Sequence, residues 1–236
     1  MTTALIIGAN GGIGAALLAA LASSGQYTRV IAAARRAPDT LPPGVDYLPV
    51  DLADPASIGS AAARIDAPLT RVIVATGILH DATSGPERRL ADLDAERLAH
   101  LFAINTIGPA LALKHFAPLL AKDAPSAIAC VSARVGSISD NRLGGWYGYR
   151  ASKAALNQIV RTAAIELARS HRQAVCVALH PGTVDTGLSK PFQRGVPAEK
   201  LFTPAYSAER MLAVLDGLTP EQSGRIFAWD GAEIAP

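Results

Sequence analysis

Tyr149-Arg150-Ala151-Ser152-Lys153 places a phenol and an ammonium four residues apart in a segment that reads as helix. Side chains at that spacing stack on one helix face, so the two heads can meet. A free tyrosine titrates near pH ~10, too high for proton exchange under neutral conditions. A positive charge about 4 Å away is worth up to ~4 kcal/mol at an intermediate effective dielectric. At ~1.36 kcal/mol per unit, that lowers a phenol pKa by up to about three units. A tyrosine so tuned exchanges protons with a carbonyl or alcohol oxygen. Tyr147, the competing phenol, has Ala151 four residues on and lacks an ammonium partner. The same spacing occurs on solvated helix faces, so the pair gains meaning only from the elements that hold it.

One such element lies at the start of the chain. Ala4-Leu5-Ile6-Ile7 suits a buried strand, Gly8-Ala9-Asn10-Gly11-Gly12-Ile13-Gly14 follows, and residues 15–23 form an Ala- and Leu-rich helix. Strand, glycine turn and helix make the unit that cradles a pyrophosphate. The glycines let backbone approach the phosphates, and the helix N-terminus offers free N–H groups. The spacing is Gly8-x-x-x-Gly12-x-Gly14, and a glycine-rich loop without a ligand is the plain alternative. About 20 residues on, where an acid would hold a ribose 2′-hydroxyl, a second strand over 29–34 ends in Arg35-Arg36. A guanidinium fork matches a 2′-phosphate rather than a hydroxyl, so Arg35 argues for NADP(H) over NAD(H).

At 236 residues the chain suits one large domain, 1–236, with a well-filled core. Half the residues are apolar but only 5% aromatic, so Ala, Val, Leu and Ile must build that core. The net charge of +2 has no basic run behind it, which argues against nucleic acid or a membrane surface as partner. Cys130 and Cys176 sit in apolar runs and read as reduced core residues of a cytoplasmic protein without a signal peptide. The five histidines show no metal-like clustering, and His180 before Pro181 reads as a packed, hydrogen-bonded residue.

Strand-like and helix-like segments alternate to the end. Strands are expected at 45–51, 71–75, 126–131, 174–179 and 225–229. Helices are expected from an Asp54 cap to 66, over 95–122 with a kink near Gly108-Pro109, through Tyr149 to 170, and over 207–217. Near-continuous apolar strands spaced by helices predict an α/β fold, a Rossmann-type doubly wound parallel sheet of about seven strands.

With both ends in place the whole chain resembles the short-chain dehydrogenase/reductase family, in its compact single-domain branch. The matches are Gly8-x-x-x-Gly12-x-Gly14, Asp51-Leu52, Asn105, Tyr149-x-x-x-Lys153 and Pro181-Gly182-Thr183-Val184-Asp185-Thr186. Residues 136–141 with Gly144-Gly145-Trp146-Tyr147 are similar to the C-factor and sniffer-type carbonyl reductases. The resemblance implies Tyr149 as acid/base, with Lys153 tuning it and bonding the nicotinamide ribose. Asn105 would hold a water linking Lys153 to solvent. Asp51 would accept from the adenine amino group, with Leu52 packed nearby. Ala75, Thr76 and Gly77 would line the cofactor, and Val184 and Thr186 would border the nicotinamide.

One departure stands out. The family carries a substrate-binding serine three residues before a glycine, and counting back from Gly136 gives Ala133. Ser132 is taken as the donor, with Ser137 or no serine as alternatives. The long segment 187–206 is expected to be the substrate lid, with Phe192 and Phe202 as apolar contacts and Trp146 and Arg142 as the opposite wall. The expected function is NADPH-dependent reduction of a ketone or aldehyde, or the reverse oxidation, by a homodimer or homotetramer. The rival is an NADP(H)-binding regulatory protein that has lost catalysis. A sugar-nucleotide epimerase is disfavoured, because little chain remains after the seventh strand.

Overall fold

Aliphatic runs without polar interruption become strands buried on both faces. The computed structural model describes residues 2–80 and 85–236. In chain order its elements are β1 (Thr3–Ile7), α1 (Gly12–Ser23), β2 (Arg29–Ala34), β3 (Val45–Pro49), α2 (Pro55–Ala63) and β4 (Arg71–Val74). There follow α3 (Ala95–Phe102), α4 (Gly108–Phe116), β5 (Ser126–Val131), α5 (Tyr147–Leu167) and β6 (Ala174–His180). The chain closes with β7 (Thr183–Val184), β8 (Leu201–Phe202), α6 (Pro204–Gly217) and β9 (Ile226–Ala228).

Seven strands form one sheet in the order β3-β2-β1-β4-β5-β6-β9, and every pairing is parallel. Winding runs outward from β1 through β2 and β3, then restarts on the other side with β4. The reversal between β1 and β4 opens a crevice beyond their C-terminal ends, where open α/β sheets bind ligands. Alternate strand residues serve opposite layers. Leu5, Ile7, Val72 and Ile128 pack against α2, α4 and α5, whereas Ala4, Ile6, Ile73 and Val177 pack against α1 and α6. The expected α/β doubly wound fold is the one observed.

Three local features position the site. Asp54 caps α2 as expected, its Oδ1 accepting from the Ala56 N–H at 2.9 Å. The helix expected over 95–122 is not continuous. Residues Ala103–Ile107 form a π-helical turn between α3 and α4. Pro109 has no N–H to give to the carbonyl of Asn105 four residues back, and the helix widens there. Helix α6 begins at Pro204 rather than 207, because Thr203 caps it, accepting from the Tyr206 N–H at 3.2 Å. The strand expected over 45–51 stops at Pro49, which leaves Asp51 and Leu52 in the turn.

Cys130 and Cys176 are free and buried. Among the described residues no helix is long and apolar enough to cross a membrane.

Candidate active site

The catalytic pair sits where β5 meets α5. Tyr149 and Lys153 are 7% and 2% exposed, and both line a cavity of about 580 Å³ at the C-terminal ends of β1, β4, β5 and β6. The Lys153 ammonium donates to the Val131 carbonyl at 2.9 Å and lies 5.9 Å from the centre of the Tyr149 ring. Burial pushes the Tyr149 phenol up to about 12 and the Lys153 ammonium down to about 8. This corrects the expectation of a lowered phenol pKa. Spacing brought the ammonium near, but desolvation of the buried ring outweighs it. Tyr147 is half-buried at the first turn of α5 and is not among the cavity-lining residues.

Asn105 is fully buried in the π turn, behind Gly77. Its Oδ1 accepts from the Ile78 N–H at 2.8 Å, and its Nδ2 donates to the Ile78 carbonyl at 2.9 Å and to Ser152 Oγ at 3.2 Å. A Cβ added to Gly77 would lie 3.4 Å from both Asn105 Oδ1 and Lys153 Nζ. That shared neighbour brings Asn105 and Lys153 to one spot.

Ser132 lines the cavity as well. Its hydroxyl donates to Asn157 Oδ1 at 2.7 Å, one helical turn beyond Lys153 on α5. Ser137 faces the chain terminus, its Oγ accepting from the Asp140 N–H at 3.1 Å. The methyl group of Ala133, in extended backbone, lines the cavity with Tyr149. The Ser132 proton is engaged by Asn157, and Ser137 is not among the cavity-lining residues.

The glycine loop reaches the same cavity through Gly11, Gly12 and Ile13. Gly8 has φ +90°, a conformation that favours glycine, and a Cβ on Gly14 would collide with the Gly8 carbonyl oxygen. A Cβ on Gly12 would lie 2.7 Å from Thr186 Cγ2, so a side chain there would have to displace Thr186, whereas at Gly11 the nearest contact would be 3.4 Å. Asn10 Nδ2 donates to the Arg36 carbonyl at 2.8 Å, tying the loop to the end of β2. Arg35 and Arg36 are exposed there. Asp51 Oδ1 accepts from the Ala53 N–H at 2.9 Å, and Leu52 is buried against Gly108. Ala75, Thr76, Gly77, Pro181, Gly182, Val184 and Thr186 all line the cavity. Thr76 Oγ1 is buried without a partner among the described residues. A crevice of this form, with bare backbone and an unpartnered hydroxyl, fits a dinucleotide.

The lid expectation splits. Phe192 lines the cavity and meets Trp146 edge-on at 5.1 Å and His80 at 5.6 Å between ring centres. His80 Nε2 lies 3.2 Å from the Gly187 carbonyl, joining the segment after β4 to the lid. Phe202 instead packs at 4.5 Å on Trp229 and underneath Gly182, because β8 pairs with β7 and turns it inward. Arg142 is exposed in its loop and does not line the cavity. His180 does line it. Burial pushes its imidazole down to about 4, and the ring makes no hydrogen bond among the described residues, with Nδ1 buried, so it is packed but not hydrogen-bonded as expected. Sequence reasoning missed Leu188 and Val196 of the lid and Asn157 behind Ser132. For Asn157 the only signal was its helical spacing from Lys153.

The buried ammonium has a measurable consequence. Below pH about 8 both folded and unfolded chains hold the Lys153 proton, and the fold bears the cost of a buried charge. Between about 8 and 10.5 only the unfolded chain holds it, so stability rises with pH through that window. Lys153→Met removes this dependence. The variant is expected to exceed wild type in unfolding free energy at neutral pH, by up to about 3 kcal/mol, with the gap shrinking toward pH ~10. Denaturant unfolding at both pH values checks it, and a constant gap would refute it.

A model of the short chain dehydrogenase family matches residues 2–196. Over 145 residues, 61% of this chain and 82% of the other, the sequence is 40% identical to the C-signal protein of Myxococcus xanthus. It is 33% identical over 233 residues, 98% of both chains, to a 1-hydroxy-2-glutathionyl-2-methyl-3-butene dehydrogenase of Rhodococcus sp.. The fold superposes on an NADPH-bound carbonyl reductase from chicken fatty liver with a TM-score of 0.82 and 29% identity, covering 99% and 98% of the two chains. The chain belongs to the short-chain dehydrogenase/reductase family. Its role is that of an oxidoreductase using a nicotinamide coenzyme.

Proposed function

We propose that this protein reduces a ketone or aldehyde with NADPH, or oxidises the corresponding alcohol, with Tyr149 as the acid/base. The observation that carries this is the meeting of Tyr149, Lys153 and the glycine loop in one cavity. The coenzyme supplies the hydride when bound, held by the Gly8–Gly14 loop, Arg35, Asp51, the 75–77 segment and Thr186. Tyr149 holds its proton throughout the neutral range, since burial lifts its pKa to about 12. It is therefore poised as an acid toward a carbonyl oxygen that gains negative charge. Lys153, still largely protonated near pH 7, faces the phenolate that this transfer leaves. Asn105 braces the segment beside Lys153 through its two bonds to Ile78. Trp146, Phe192, Leu188 and Val196 give the substrate end an apolar wall. The test is a panel of ketones and aldehydes read by NADPH absorbance, with turnover expected for apolar carbonyls and silence across the panel counting against it.

NADP(H) preference rests on Arg35, exposed at the end of β2 with no carboxylate beside it in sequence. Arg35→Ala is expected to weaken NADPH binding roughly 10- to 100-fold, the worth of a charge-assisted contact. NADH binding should change little. Equal losses for both coenzymes, by fluorescence titration, would overturn the preference.

The regulatory reading is favoured by Ala133, which puts a methyl group in the serine slot and leaves on the cavity wall only Ser132, whose hydroxyl donates to Asn157. NADPH binding together with silence toward every carbonyl would select it. A homodimer or homotetramer fits the half-exposed Ile165 of α5 and Ile107 beside it in the π turn, and light scattering tests the assembly.

A further inference from the structure

Helix α5 starts without help from its own neighbours. Trp146, the residue before it, lies in the left-handed region at φ 54°, and no side chain at that position caps the helix. The first N–H groups of a helix lack intrahelical partners. Here one of them, that of Gly148, is met by Glu87, 61 residues away in sequence. Glu87 Oε2 accepts from the Gly148 N–H at 3.1 Å, and the Glu87 main-chain carbonyl accepts from the Trp146 N–H.

The Glu87 side chain is fully buried, while Arg97 of α3, with Nε 3.4 Å from Oε1, is 17% exposed. This is a charge contact, because Oε1 makes no hydrogen bond among the described residues. Space for the carboxylate comes from Gly148, where a Cβ would lie 3.0 Å from Oε1 and 2.6 Å from Leu101 of α3. Burying a carboxylate is costly unless it is hydrogen-bonded and paired, and an apolar residue would fill the same space more cheaply. The positive end of a helix is one of the few places that offset the cost.

What the carboxylate holds explains its presence. Gly148 immediately precedes Tyr149. The Trp146 ring lies 6.3 Å from the Tyr149 ring and 5.1 Å from Phe192, between the proton donor and the lid. Two bonds from one residue therefore set the position of the phenol and of the aromatic wall.

We propose that Glu87, paired with Arg97, is a positioning residue that locks the first turn of α5 so that Tyr149 and Trp146 face the cavity. It touches neither substrate nor coenzyme. The kinetic part rests on the reductase reading above; the geometric part does not.

Glu87→Ala should lower kcat on the order of 10²-fold, the scale of an ångström-sized misplacement of a reacting group. NADPH affinity should stay within about twofold, because the glycine loop and Arg35 lie on other elements. Glu87→Gln keeps an acceptor for the Gly148 N–H and should restore most of kcat. A second readout needs no turnover. In a Trp229→Phe background, Trp146 emission should shift to the red and become more quenchable by acrylamide in Glu87→Ala but not in Glu87→Gln.

A folded Glu87→Ala with normal kcat and unchanged Trp146 quenching would overturn the proposal. So would kcat and NADPH affinity falling together, which marks general loosening. If Glu87→Ala does not fold, Glu87→Asp, one methylene short of Gly148, should show the same kcat loss and red shift, and normal values there would overturn it. If wild type reduces no carbonyl, the reductase reading fails, and the Trp146 measurement alone decides the geometric claim.

Discussion

Tyr149→Phe is expected to reduce turnover by at least ~10³-fold while leaving NADPH affinity within about twofold of wild type. General acid catalysis by a positioned side chain contributes ~10²–10⁴-fold, and no second acid stands ready. Lys153 donates to the Val131 carbonyl, Ser132 donates to Asn157, and Ala133 presents only a methyl group. The phenol makes no hydrogen bond to protein among the described residues, so its removal should not destabilise the fold. Stopped-flow reduction and fluorescence titration separate the two effects. Retained turnover in the phenylalanine variant would end the assignment of Tyr149.

Ala133→Ser is expected to increase kcat for carbonyl reduction, by about tenfold or more. An oxyanion donor of this kind is worth up to ~10²–10³ in rate when well aimed. Position 133 is extended and half-buried on the cavity wall with Tyr149, so a hydroxyl there has space and a reactive neighbour. The companion variant Ser132→Ala separates the two serine readings. It should cost ~1–3 kcal/mol of stability, the penalty for stranding a buried polar group. Asn157 would lose the bond to Oδ1, and its Nδ2 already lacks a partner among the described residues. Its effect on kcat should be small. A Ser132→Ala variant that is stable but inactive, with Ala133→Ser no faster than wild type, would return the catalytic role to Ser132.

The lid shows how far loop residues can be read from sequence. Phe192 and Phe202 lie in one proline-rich segment and were equivalent as apolar candidates. The pairing of β8 with β7 sends Phe202 under Gly182 and onto Trp229, while Phe192 closes on Trp146 across the cavity. Glu87 is a stronger case. Nothing in Gly85-Pro86-Glu87-Arg88 suggests a buried carboxylate, because its partner is a backbone N–H on a helix 61 residues later. Asn105 was legible only through the family resemblance. Its placement depends on the π turn, which Pro109 alone did not reveal.

Residue order by itself determined the alternation of strands and helices, the glycine turn after β1 and the tyrosine–lysine spacing on α5. These are properties of short stretches, set by the periods of strand and helix and by which residues turns admit. Only the folded arrangement decided that the Ser132 hydroxyl donates to Asn157, that Glu87 caps α5, and that burial pushes the Tyr149 phenol up rather than down. A charge four residues away in a helix acts locally, but desolvation sums over everything packed around the ring. That surrounding comes from β5, β6, the lid and the α3–α5 contact, elements distant in sequence that meet only in three dimensions.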